Sequence, residues 1–245
     1  MKKLIQRLLA KTGYQLTARV PPDFTAEDIA LVDQVRPYTL CSPERIYSCL
    51  RAAEYLVKHR IPGDLVECGV WRGGIVMALA LTLLRLGDQE RHLYLYDTFE
   101  GMASPTDADV DFRGASAASQ LDESVRGPGG KVWAYAALEG VREAVLGTGI
   151  DPSRVHFVKG KVEDTLPDHA PERIGLLRLD TDWYESTRHE LEHLYPRLVS
   201  GGVIIIDDYG HWQGARKAMD EYLASHRIPL LLNRVDYTAR IGVKP

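Results

Sequence analysis

From residue 64 onward, five short apolar runs alternate with stretches of helical periodicity, and this alternation limits the possible folds more than any other feature. The runs are Asp64–Val70, His92–Asp97, Val155–Val158, Ile174–Asp180 and Val203–Asp208. Helical patterns fall at about 74–86, 137–147, 184–199 and 213–226, and Gly201-Gly202 reads as the C-cap of the third. Strands separated by helices build an open parallel sheet covered on both faces. Pro229–Asp236 and Ala239–Val243 are separated by a short turn and predict a closing hairpin. The expectation is an α/β, Rossmann-like chain with a mostly parallel seven-stranded sheet and an antiparallel C-terminal strand.

Two of the runs end in carboxylates. Gly175-Leu-Leu-Arg-Leu179 leads into Asp180-Thr181-Asp182, and Val203-Ile-Ile-Ile206 leads into Asp207-Asp208. Like charges gathered at buried strand ends are costly unless a proton or a cation neutralises them. Oxygen ligands suit a hard divalent ion, so Asp180, Asp207 and Asp208 form a candidate site for magnesium, with calcium or manganese as alternatives. Such an ion would lower the pKa of a sugar or phenol hydroxyl and orient it. Asp182 is placed to take the proton, or else is itself a ligand, and His211 is a second candidate base. Arg178 points away from the face of Leu177 and Leu179, where it can pair with an acid.

The other half of the sheet carries a different signal. Glu67-Cys-Gly-Val-Trp-Arg-Gly-Gly74 lies at a strand-to-helix turn, and Asp97-Thr98-Phe99 closes the next strand. In open α/β sheets, ligands bind just beyond the carboxyl ends of the strands, and an acid ending the second strand takes ribose hydroxyls. The spacing is not the dinucleotide fingerprint. A carboxylate at the turn suits an amino group rather than a pyrophosphate, which favours S-adenosylmethionine over NAD. The candidate cofactor residues are Glu67, Gly69, Trp71, Arg72, Gly73, Asp97, Thr98 and Phe99, with Glu163 placed to accept from an adenine amino group. A cofactor-binding regulator without activity and an NAD-dependent oxidoreductase are the competing readings.

The chain has 245 residues, with 30 basic against 34 acidic side chains, a balance that excludes nucleic acid as the main partner. No apolar stretch spans a bilayer and no signal peptide is recognisable, so a cytoplasmic enzyme is expected. The three cysteines (Cys41, Cys49, Cys68) have neither disulfide nor zinc spacing. Residues 1–60 read as a helical extension, with Ser42-Pro43 starting a helix that runs to about His59. The basic amphipathic segment Lys2–Lys11 can pack on the domain or a second subunit, or lie on a membrane surface. Residues 61–245 form the catalytic domain, and the long connection 100–130 is expected to be a lid.

Taken together, five segments resemble the macrocin O-methyltransferase (TylF-like) family of sugar O-methyltransferases. They are Glu67–Gly74, Tyr96–Met102, Gly160–Pro167, Leu177–Tyr184 and Gly201–Tyr209. The resemblance implies a class I methyltransferase fold, S-adenosylmethionine as methyl donor and a divalent metal held by Asp180, Asp207 and Asp208. It implies Asp182 as base, Glu67 and Asp97 at the cofactor, and Thr39 and Ser42 in a segment that closes over it. Asp180 belongs to both the metal and the cofactor sets. Family members methylate deoxysugar hydroxyls of glycosylated products and are often dimers, so a small-molecule or glycan acceptor and a homodimer are expected. Thr181 and Trp183 depart from the smaller residues common in antibiotic-pathway relatives, and residues 100–130 lack the histidine that some carry there.

Overall fold

The computed structural model describes residue 12 and residues 21–122 and 134–245. The segment Lys2–Lys11 and the end of the expected lid lie outside the described residues. Seven strands form one sheet: β1 (Asp64–Cys68), β2 (Leu93–Asp97), β3 (Val155–Lys159), β4 (Ile174–Leu179), β5 (Leu198–Ile206), β6 (Asn233–Arg234) and β7 (Arg240–Val243). Their order is β3-β2-β1-β4-β5-β7-β6. The first five run parallel, and β7 is antiparallel to both β5 and β6. The order reverses between β1 and β4, the switch point at which open α/β sheets form a crevice.

The helices are α1 (Ala26–Val35), α2 (Pro43–Lys58), α3 (Gly74–Leu86), α4 (Ala117–Asp122), α5 (Leu138–Leu146), α6 (Val162–Thr165), α7 (Tyr184–Leu194) and α8 (Gln213–His226). Alternation along the strands sorts side chains between two cores. Leu65, Leu93, Leu176, Val203 and Ile205 pack with α1, α2, α3 and α5. Val66, Cys68, Leu177, Leu179, Ile204 and Ile206 pack with α7 and α8. The N-terminal helices therefore share a core with the sheet.

The expected helix over 184–199 is shorter. It stops at Leu194, and Pro196 sits in a 3-10 turn over Tyr195–Arg197. Proline has no amide hydrogen and cannot continue an α-helix. Strand β5 then begins at Leu198, so Gly201-Gly202 lies inside the strand, next to an irregularity in its pairing with β4. The C-cap reading of these glycines was thus incorrect. The connection after β2 is also more ordered than a featureless loop. Isolated bridges join Val110 to Ser116 and Asp111 to Trp212, and buried Asp109 accepts from the Tyr184 amide at 2.8 Å.

Far from the crevice, His92 Nδ1 and His156 Nε2 are 2.7 Å apart and share one hydrogen, with His156 stacked on Tyr94. Burial and the neighbouring His92 hold His156 below its ordinary value of 6.5, while Asp64 pulls the other way. The folded protein thus binds this proton less readily than the unfolded chain. Its contribution to stability is complete above pH 6.5 and is lost as the pH falls below it. Thermal melts from pH 7.5 to 5.5 are expected to show declining stability, with a shallower decline in His156→Gln. Equal slopes would remove this assignment.

Candidate active site

Strand register assembles the polar centre. Glu67 on β1 pairs directly with Arg178 on β4, and Arg178 with Ile205 on β5, so these side chains share a face. Asp207, two residues past Ile205, projects to the same side. Arg178 is only 1% exposed and bonds Glu67 Oε1, Asp180 Oδ2 at 2.8 Å and Asp207 Oδ1 at 2.6 Å. Its other neighbour is the Cys41 sulfur, at 3.1 Å. Arg45, from α2, takes the second oxygen of Asp207 and lies 3.1 Å from Asp236. Ser42 caps α2 and donates to Asp236 at 2.8 Å.

Two guanidiniums therefore face six carboxylates: Glu67, Asp180, Asp182, Asp207, Asp208 and Asp236. Asp180, Asp207 and Asp208 present oxygens within 4.8 Å of one another. Asp208 is also within hydrogen-bonding reach of both Asp182 and Asp180. Burial pushes Asp180 and Asp208 well above the carboxylate range, and their acidic neighbours add to it, against the pull of Arg178 on Asp180. Burial pushes Asp182 up to about 7 despite its bond to Asp208. An all-oxygen set with surplus negative charge is chemically suited to a hard divalent cation.

The turn carrying Asp182 is tightly held. Asp182 has φ +69, in the left-handed region that aspartate tolerates. Thr181 donates to the fully buried Glu190 at 2.9 Å. Gly69, at φ +85, passes so close to this turn that a Cβ would overlap the Asp180 carbonyl. Gly69→Ala is expected to cost about 1–2 kcal/mol from the backbone conformation alone and more from displacing Asp180. A thermal melt and an activity assay check this; a wild-type melting temperature would contradict it.

A cavity of about 400 Å³ at the switch point is lined by Thr39, Glu67, Gly69, Trp71, Asp97, Thr98, Glu163, Asp180, Asp182, Asp207, Asp208 and His211. Burial pushes Glu67 up to about 7, opposed by Arg178. Its second oxygen is buried without a partner, which fits a ligand amino group. Asp97 accepts from the amides of Val70 (2.7 Å), Trp71 (2.9 Å) and Phe99 (2.6 Å), so it shapes both turns as well as facing the cavity. Gly74 lets α3 begin against Tyr38, where a Cβ would come within 2.7 Å of backbone.

Four of the sequence candidates do not line this cavity. Ser42 is spent on its cap and Asp236. Arg72 lies over the Trp71 ring. Gly73 is the N-cap of α3, and Phe99 is buried in the core. Arg45, Cys41, Asp236 and Glu190 were not among the candidates, and only tertiary pairing brings them in.

The fold is that of class I methyltransferases, and the family match and relatives below make the chain an S-adenosylmethionine-dependent O-methyltransferase. The chain belongs to the macrocin-O-methyltransferase (TylF) family, whose model matches residues 24–241. It is 34% identical to an 8-demethyl-8-(2,3-dimethoxy-alpha-L-rhamnosyl)-tetracenomycin-C 4'-O-methyltransferase of Streptomyces olivaceus, over 82% of this chain and 73% of that one. It is 30% identical to the mycinamicin III 3''-O-methyltransferase of Micromonospora griseorubida, over 92% of this chain and 88% of that one. Among solved structures, the O-methyltransferase NovP superposes with a TM-score of 0.73 at 28% identity, covering 99% of this chain and 97% of that one. No helix among the described residues is long and apolar enough to cross a membrane.

Proposed function

We propose that this enzyme methylates a sugar hydroxyl of a glycosylated small molecule, with a divalent cation, magnesium first, in the carboxylate cluster. The observation that carries the reading is the cluster itself: Asp180, Asp207 and Asp208 present oxygens within 4.8 Å of one another, with Asp182 beside them, in the lining of the same cavity as Glu67 and Asp97. The named activity of the Streptomyces olivaceus relative, on a rhamnosyl group, supports the acceptor class.

Asp180, Asp207 and Asp208 are the residues that would hold the cation. When bound, S-adenosylmethionine supplies an electrophilic methyl group and the cation a Lewis acid that makes the acceptor hydroxyl more acidic. Glu67 anchors the amino group of the donor through its unpartnered oxygen, and Asp97 and Glu163 face its nucleoside. Asp182 takes the hydroxyl proton. A base whose pKa lies near neutrality serves this role best, and burial moves Asp182 in that direction. Arg178 and Arg45 hold Asp207 in place from behind. Trp183, which follows Asp182 directly, is buried and packs edge to face on Trp212 at 5.0 Å, so apolar rings lie on this side of the site. His211 stands at the rim and bonds Tyr237 at 3.2 Å, and we give it a place in acceptor binding or as an alternative base. Three free, buried thiols fit a reducing cytoplasm, and the homodimer is part of the same proposal.

The test is incubation with isotopically labelled S-adenosylmethionine and a panel of deoxysugar glycosides, read by mass spectrometry. Labelled O-methyl product is expected; donor binding without transfer to any glycoside would refute the reading.

A further inference from the structure

Past the residues that serve methyl transfer, helix α7 reads His189-Glu190-Leu191-Glu192-His193, which has the H-E-x-x-H spacing. On a helix this spacing puts two histidines one turn apart on one face, where they can share a zinc ion. In metallopeptidases the first glutamate of the motif then serves as base. A short motif of this kind also arises by chance, so the side-chain geometry decides what it means here.

The structure divides the motif. Glu190 turns inward: it is fully buried, lies on the face of α7 with Thr187, Leu191 and Leu194, and accepts from Thr181 at 2.9 Å. It is committed to the turn that carries Asp182, so the base of a peptidase is missing. The two histidines stay at the edge of that face, half-buried, with ring centroids 4.3 Å apart. Glu192, on the solvent side, supplies a third ligand. His189, Glu192 and His193 each offer a ligand atom within 4.8 Å of the others.

A second observation points to a ligand. His189 Nε2 is buried and has no hydrogen-bond partner. A buried polar atom without a partner costs free energy, and a metal ion would take the lone pair of a neutral ring nitrogen. Glu192 also accepts from Arg188 at 2.7 Å, but Arg188 holds Glu185 as well, at 3.1 Å. A carboxylate has about four acceptor positions, so Glu192 can keep Arg188 and still ligate. Two imidazoles and a carboxylate suit zinc, nickel or cobalt, whereas magnesium prefers oxygen alone.

We infer that His189, Glu192 and His193 bind one zinc-class divalent ion, which staples the last turn of α7 and has no hydrolytic activity. Three protein ligands leave the fourth tetrahedral position to water. The site is separate from the all-oxygen cluster and does not depend on the sugar-methylation reading.

The test titrates untagged, full-length enzyme with zinc by calorimetry and with cobalt by visible absorption, in excess magnesium. One ion per chain that magnesium does not displace is expected, together with a zinc-dependent rise in Tm. His189→Asn and His193→Gln should each weaken zinc by at least the roughly 10–100-fold that follows loss of a mere outer-shell partner. Both should lose the rise in Tm and keep wild-type methyl transfer in magnesium, and Asp208→Ala should bind zinc as the wild type does. Unchanged zinc affinity in His193→Gln would overturn the site, whether or not His189→Asn folds. Loss of zinc binding in Asp208→Ala would overturn it too, by placing the ion at the carboxylates. Zinc-dependent cleavage of casein by the wild type would overturn the assignment of Glu190 to the core.

Discussion

Asp182→Asn is expected to lower kcat by about 10²–10⁴-fold, the usual contribution of a positioned base, and to leave donor affinity unchanged. The substitution keeps the shape of the side chain and its place in the left-handed turn, since asparagine tolerates that conformation as aspartate does. It removes the proposed proton acceptor and leaves the Asp180, Asp207 and Asp208 set intact. The same variant separates the two roles the sequence leaves open for this residue. A base lost from the site lowers kcat with an unchanged magnesium activation constant. A ligand lost from the site weakens magnesium as well. Wild-type turnover in Asp182→Asn would remove both roles.

The second large effect is on folding. Arg178→Met is expected to destabilise the protein by about 3–5 kcal/mol, the range for breaking a buried ion pair on one side. Arg178 is 1% exposed, and its partners Glu67 and Asp207 are only 3% and 2% exposed. Methionine fills similar volume but leaves both carboxylates buried, with Asp180 and Asp208 close by. For a chain of this length the loss corresponds to a fall in Tm of roughly 6–20 °C. Glu67→Gln in the same background should return part of it, because the pair is coupled. Magnesium should stabilise the variant too, by binding the folded cluster. Calorimetry of the single and double variants reads all three outcomes. A Tm equal to wild type in Arg178→Met would show that the guanidinium does not balance the cluster.

The parallel sheet was legible because each strand is a short apolar run ending in glycine or a carboxylate. The candidate metal set was legible for the same reason: residues at the ends of neighbouring parallel strands meet at one edge. Arg178 was half legible. Alternation put it opposite Leu177 and Leu179, but its partner depends on the β1–β4 register, which joins residues 111 positions apart. Arg45 and Asp236 were invisible, since nothing local says that the first turn of α2 meets the loop before β7 and that Arg45 reaches on to Asp207. Gly201-Gly202 misled because a glycine pair after a helical pattern reads as a cap, while Pro196 had already ended the helix.

Cation-assisted methyl transfer at the carboxylate cluster is the central proposal for this enzyme. The direct measurement is labelled methyl transfer to a deoxysugar glycoside by enzyme stripped with chelator, before and after magnesium is returned, with Asp208→Ala in parallel. Stripping is expected to abolish transfer, and magnesium to restore it in the wild type but not in Asp208→Ala. Undiminished transfer by the stripped enzyme would contradict it.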